Sequence, residues 1–280
     1  MARVGVCGSL NMDVFGYVER LPLPGETVRG RSLLYAPGGK GANQAVAAAR
    51  AGAAVSFTGA RGRDGFGERL LESLRRDGID VAGLEPVNDP TGVALILVEE
   101  GGENQIVVIS GANDRVRGPS GGDDDVSIWV TQAEISVDAV AATLETARAS
   151  GATALVNPAP AGRLPADLVA RFDIAVVNQT ELDALGGHHA PVTVLTLGAA
   201  GARLLPDGPV LPALPAHVVD TTGAGDALVG AMAAALAEGM PVERALRFGM
   251  AAASVAVESP GCQPAMADRG RIDHRLAAAG

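Results

Sequence analysis

The chain has 280 residues, a formal net charge of −10 and only 3% aromatic residues. That length suits one large α/β domain, or one with a small appendage. The acidic balance argues against nucleic acid and anionic membranes as general partners, and the few aromatics argue against a base-stacking platform. Lys40 is the single lysine among 22 basic residues, which marks it as a position to watch.

The first residues carry no basic or apolar leader pattern, and the apolar runs are shorter than a membrane span. Val4 to Gly8 reads as a short buried strand. Its carboxyl end carries Ser9-Leu10-Asn11-Met12-Asp13, and ligands bind at that edge of open α/β sheets. Asn11 and Asp13 would share a face in extended chain and could hold a diol, or form an Asx turn. Val14 to Val18 and Thr27 to Tyr35 are strand-like, as are Thr91 to Glu99 and Gln105 to Ser110. No helix follows either pair, so they predict a small antiparallel sheet projecting from the main domain. Such a sheet needs one face covered, by a ligand or a second subunit. Between them, Pro37 to Gln44 is a glycine turn onto a helix spanning Ala45 to Ala51. It presents Lys40 and Asn43 amid backbone donors. It is no Walker A loop, since Gly41 follows Lys40. Ala53 to Thr58 is a strand, Gly65 to Asp77 an amphipathic helix, and Ile79-Asp80 starts a turn.

From Gly111 the βα alternation resumes. Arg117 to Asp125 is a polar loop whose Asp123-Asp124-Asp125 run reads as solvated. Strands are expected at Ile128 to Val130, Ala154 to Asn157, Ile174 to Val177 and Val192 to Leu197, with a helix at Val137 to Ser150. Polar or glycine turns recur at the strand ends, as a nucleotide site on a doubly wound sheet requires. Asn178 and Glu181 form a capping-box-like pair, or could hold Mg²⁺ through water; the residues alone favour the cap. His188-His189 reads as a surface loop rather than a metal site. Cys7 and Cys262 read as buried free thiols of a reducing, cytoplasmic compartment.

Val219 to Ala227, followed by an Ala/Leu helix, reads as a strand end, a tight turn at Gly223 and Gly225, and a helix N-terminus. Its free amides suit an anion such as phosphate. A simple capped helix and another ligand remain open. Asp226 would repel a phosphate, so beside one it should act on something else, such as an attacking hydroxyl. Glu243 to Val257 and Arg271 to Ala279 are helices around a loop, Glu258 to Ala265, rich in free carbonyls.

Several stretches together resemble the ribokinase family of sugar kinases, in order along nearly the whole chain. Asp220-Thr221-Thr222-Gly223-Ala224-Gly225-Asp226 is similar to the family's C-terminal signature, and Gly38-Gly39-Lys40-Gly41-Ala42-Asn43-Gln44-Ala45 to its N-terminal one. Gly8 to Asp13, Pro24 to Thr27, Gly101 to Asn104, Ser110 to Asn113, Asn157 to Ala161 and Thr196 to Gly198 also fit. The resemblance implies a three-layer, doubly wound, mostly parallel sheet with a small antiparallel β lid. Segments 1–13, 36–90 and 111–280 would form the main domain, and 14–35 with 91–110 the lid. It implies ATP-dependent phosphorylation of the D-ribose 5-hydroxyl, with Asp226 as base and the amides of Gly223, Ala224, Gly225 and Asp226 as anion hole. Asn11, Met12, Asp13, Gly39, Lys40, Gly41, Ala42, Asn43 and Glu134 would bind the sugar. Asn178, Thr196, Leu197, Gly198, Ala199, Ala200, Gly201, Gly225, Asp226 and Met250 would line ATP. Asn178 and Glu181 would match the family's Mg²⁺ motif, displacing the cap reading. Asp220, Thr222, Ala256, Ser259, Gly261 and Ala265 would hold K⁺. The lid would also form a homodimer contact. Alternatives are a family kinase for a nucleoside, deoxyribose or keto-sugar, and a sugar-binding regulator without catalysis. Only His188 to Pro191 stands between Gly187 and Val192, where relatives carry a longer crossover. The flanking strands are then either not adjacent, or leave a sheet face or partner surface exposed.

Overall fold

A computed structural model of the chain describes residues 3–120 and 125–279. β1 (Arg3–Cys7), β2 (Asn11–Val18) and β3 (Gly30–Gly38) lead into α1 (Lys40–Arg50). β4 (Ala54–Gly62), α2 (Gly65–Arg76) and β5 (Asp80–Val87) precede the hairpin of β6 (Gly92–Val98) and β7 (Asn104–Ile109). β8 (Ile128–Gln132), α3 (Val137–Ser150), β9 (Thr153–Asn157), α4 (Ala166–Val169), β10 (Ile174–Asn178) and α5 (Gln179–Leu185) continue the alternation. The chain closes with β11 (Val192–Thr196), β12 (Ala202–Leu205), α6 (Ala224–Ala237), α7 (Val242–Ala256) and α8 (Arg269–Ala278).

Eight strands form one sheet in the order β12-β11-β10-β9-β8-β1-β4-β5, parallel except for β12. The strands are short apolar runs because helices bury both faces. Residues of α1, α2, α6, α7 and α8 pack with Val4, Val6, Val130 and Val176 on one side. Residues of α3 and α4 pack with Trp129, Val156 and Ala175 on the other. The result is a three-layer α/β fold. Connections diverge on either side of β1, so the carboxyl ends of β1 and β8 form a switch point where ligands bind. The second sheet runs β3-β2-β6-β7. Both expected hairpins are antiparallel, and they join side by side through a parallel β2–β6 pair.

Four local expectations are corrected. First, α1 starts at Lys40, five residues before Ala45, because Gly39 takes a left-handed φ of 88° at the N-cap. Lys40 and Asn43 therefore lie in its first turn. Second, the expected turn at Ile79-Asp80 opens into strand β5. Gly83, Glu85 and Pro86 hid it, and its place at the sheet edge tolerates them. Third, Val219 ends no strand. Val218 and Val219 are exposed in an irregular connection to α6. Fourth, β10 and β11 are adjacent and parallel. The seven residues of α5, with the turn that follows, complete the crossover. Thr193, Val194 and Leu195 are buried, so the short connection does not strip β11 of cover. Of the acidic run, Asp123 and Asp124 lie outside the described residues, while Asp125 pairs with Arg3 at 2.7 Å. Among the described residues, no helix is long and apolar enough to cross a membrane.

α1 and α6 cross closely because Gly230 of α6 has no side chain. A Cβ there would run into the Gln44 carbonyl oxygen and the Ala47 side chain. Asp226 precedes Gly230 by one helical turn, on the same face of α6. Gly230→Ala is expected to lower stability by about 1–3 kcal/mol through overpacking. Gly65→Ala, which meets nothing within 4 Å, should change it by less than about 0.5 kcal/mol. Denaturant unfolding of both variants checks this; equal effects would contradict the close-crossing account.

Candidate active site

The site is built where strand ends meet the first turns of α1 and α6. Asp226 is buried, and both its oxygens are held by α1. Asn43 Nδ2 donates to Oδ2 at 3.0 Å and Gln44 Nε2 to Oδ1 at 2.9 Å. Gly223 caps α6 with φ 76°, and a Cβ on it would strike the Cys262 thiol. Ala224, Gly225 and Asp226 have no helical acceptor for their amides at this helix start. The Ala224 amide donates to Thr221 O at 3.2 Å, whereas those of Gly225 and Asp226 remain available at the helix start.

Lys40 and Asp226 line one cleft with Asn178, Glu181, Thr196 and Gly225. The Asp226 charge is the main influence holding the Lys40 ammonium above its ordinary value; burial opposes it, and Glu134 and Glu181 reinforce it. Glu134 Oε2 accepts from Ser9 Oγ at 2.6 Å and from the Lys40 amide at 3.0 Å. This carboxylate therefore satisfies the N-terminus of α1. Asn11 Oδ1 accepts from Asn113 Nδ2 at 2.7 Å. The Asp13 carboxylate occupies the space a side chain on Gly38 would need. Burial, then the charges of Glu134 and Asp226, push Asp13 up to about 7.

Asn178 and Glu181 form the complete capping box expected from the residues alone. Asn178 Oδ1 accepts from the Glu181 amide, and Glu181 Oε2 from the Asn178 amide, each at 2.9 Å. Burial raises Glu181 above its ordinary value. Each Glu181 oxygen accepts one hydrogen bond from Asn178, which leaves lone pairs toward the cleft. Asp220 Oδ1 accepts from the Thr222 amide and Oδ2 from the Gly261 amide. Burial alone would raise Asp220, but hydrogen bonding from the Thr222 side chain, then from the Gly261 and Thr222 amides, outweighs it and holds it below its ordinary value. Gly198–Ala200 form a 3-10 turn closed by Leu197 N to Gly201 O at 2.7 Å, directly after Thr196.

Some expected residues sit elsewhere. Met12 and Ala42 are packed in the core, so only their backbones can meet a sugar. Met250 is buried in the core, and the side chain of Ala265 is apolar and buried. Cys7 and Cys262 are buried free thiols, and burial pushes Cys7 up to about 12. His188 and His189 are exposed. Sequence reasoning overlooked Gln44, Gln132 and Gln263, whose side chains link Asp226, Asn43 and Asn157. Their only signal was an amide at a helix start or a strand end.

The family model for pfkB family carbohydrate kinases matches residues 1–269. The chain is 36% identical to ribokinase of Bacillus subtilis, over 99% of this chain and 100% of that protein. It is 35% identical to ribokinase of Mus musculus, over 94% of this chain and 91% of that one. The structure of Arabidopsis thaliana ribokinase complexed with ribose and ATP is 31% identical and superposes with a TM-score of 0.89, covering 99% of both chains. This doubly wound chain, with a glycine-turned helix start at its strand-end cleft, is a carbohydrate kinase. It belongs to the pfkB family, and the three relatives named above are ribokinases.

Asp13 gives a pH test with a definite sign. Between its ordinary value of 3.8 and about 7, the folded chain holds a proton that the unfolded chain has lost. Stability contributed by this group therefore falls as pH rises through that window, and the penalty is fully present above it. In sugar-free protein, the unfolding midpoint of Asp13→Asn should gain on that of the parent from about pH 4 to about pH 7 and level off above. A difference independent of pH would contradict the burial of an ionisable Asp13.

Proposed function

We propose that the chain transfers the γ-phosphoryl group of ATP to the 5-hydroxyl of D-ribose. The observation that carries this is a buried carboxylate, Asp226, held by both oxygens beside the free amides of a helix start and a lone ammonium. Asp226 accepts the proton of the 5-hydroxyl as its oxygen attacks the γ-phosphorus. The bond from that phosphorus to the β–γ bridging oxygen breaks, and ADP leaves. The amides of Gly225 and Asp226, with the helix dipole, stabilise charge on the transferred group, where positioning and electrostatics dominate catalysis. Asn11, Asp13, Gly39, Lys40 and Asn43 orient the sugar, with Glu134 fixing the turn that carries Lys40. Thr196 and Gly198 to Gly201 line the nucleotide. The similarity to ribokinases, one of them in complex with ribose and ATP, favours ribose over other sugars.

The donor sets fit two cations. Glu181, with Asn178, would hold Mg²⁺ through water, which keeps much of its hydration shell. Asp220, with carbonyls around Thr222, Ala256, Ser259 and Gly261, would hold K⁺, a hard cation suited to oxygen donors. Bound there, both would offset phosphate charge. The second sheet, residues 14–35 and 91–110, serves as a lid. Leu33, Tyr35, Leu95 and Val107, which share one face of it by register, are exposed. A second copy of this chain covers that surface in a homodimer. The buried free thiols support a cytoplasmic setting.

The test is ATP consumption over ribose, 2-deoxyribose, fructose and adenosine. Ribose should turn over fastest, and Asp226→Asn should lower that turnover by about 10²–10⁴-fold while ribose binding persists. Preference for adenosine would move the assignment to a nucleoside kinase. Near-parental turnover of Asp226→Asn would remove the base role.

A further inference from the structure

Gln44 is fully buried, so its side chain meets no sugar, yet every polar atom of its amide is engaged. Nε2 donates one hydrogen to Asp226 Oδ1 at 2.9 Å and the other to Asn157 Oδ1 at 3.1 Å. Oε1 accepts from Gln132 Nε2 at 2.7 Å. Asn157 is itself fixed, since its Nδ2 donates to Val176 O at 2.9 Å and leaves Oδ1 facing Gln44. A flipped Gln44 amide would set oxygen against the oxygens of Asp226 and Asn157, and Gln132, whose own Oε1 has no partner, braces that choice rather than making it. One orientation is thereby selected, with a donor aimed at the carboxylate. The other carboxylate oxygen is held by Asn43, whose Oδ1 accepts from Gln263 Nε2 at 3.1 Å.

We infer that Gln44 is a positioning residue, whose side-chain amide, set by Asn157 and braced by Gln132, fixes the Asp226 carboxylate in the orientation that receives the substrate proton. This rests on the base role proposed above for Asp226. Asn43 and Gln44 divide the work. Asn43 sits at the sugar side and holds one oxygen, while Gln44 holds the other from inside the core. Gly230 sets the height at which this happens, because the close crossing of α1 and α6 brings Gln44 within reach of Asp226.

The experiment compares Gln44→Met, Asp226→Asn and the double variant in the full chain, by single-turnover phosphoryl transfer to ribose and by calorimetric ribose binding. Gln44→Met keeps length and removes the donor. It should lower the transfer rate about 10–100-fold, the effect of a misplaced catalytic group, and change ribose affinity by less than about 3-fold, since Gln44 binds no sugar. In the Asp226→Asn background the same substitution should change the rate by less than about 2-fold, because the group it orients is gone. Gln132→Met leaves Gln44 in place but frees its amide. It should show the same pattern at smaller amplitude, and it carries the test should Gln44→Met fail to fold. A parental transfer rate, an equal loss in both backgrounds, or a matching loss of ribose affinity would overturn the positioning role. Asp226→Asn with near-parental transfer would instead overturn the base role itself, so the two failures are distinguishable.

Discussion

The crossing of α1 over α6 at Gly230 sets the geometry on which the site depends. Only a residue without a side chain lets the Gln44 backbone come that close. The first turn of α1 then faces the first turn of α6, and Asn43 and Gln44 reach the two oxygens of Asp226. A carboxylate buried beside a helix start is otherwise free to cap that helix. Held by two amides from a neighbouring helix, it faces the cleft instead. Packing in the core and orientation of the reactive group are thus one constraint rather than two.

Charge organisation follows from the same arrangement. Asp13, Glu134, Glu181 and Asp226 act on one ammonium, that of Lys40, or on one another. Glu134 is offset by the amide of α1 it accepts, and Glu181 by its capping box. Asp13 has no such partner among these bonds, and burial opposes its ionisation. A sugar hydroxyl pair donating to Asp13 would favour its charged form, which links substrate binding to the protonation of this residue.

Much of this was legible in the sequence because the carrying signals are local. Short apolar runs ending in polar turns gave β1, β8, β9, β10 and β11, and the two glycine turns announced both site helices, although α1 begins at Lys40 rather than Ala45. What escaped was set by tertiary context. β5 is an edge strand broken by Gly83 and Pro86, so its pattern is weak. Val218 and Val219 look like strand residues but lie exposed in a connection. The Asn178–Glu181 pair carried two readings, and the capping box that local chemistry favoured is present without removing Glu181 from the cleft. The crossover at His188 looked too short until α5 itself served as its helix. Gln44 and Gln132 could not be ranked as site residues, since a buried glutamine declares its role only through the partners that surround it.

The account turns on where the reacting hydroxyl sits relative to Asp226. A crystal structure of this chain with ribose and a non-hydrolysable ATP analogue measures that directly. The account predicts the 5-hydroxyl oxygen about 3 Å from an Asp226 oxygen, within proton-transfer reach, with the terminal phosphate against the amides of Gly225 and Asp226. A ribose bound with a different hydroxyl toward Asp226, or a phosphate directed away from the α6 start, would contradict it.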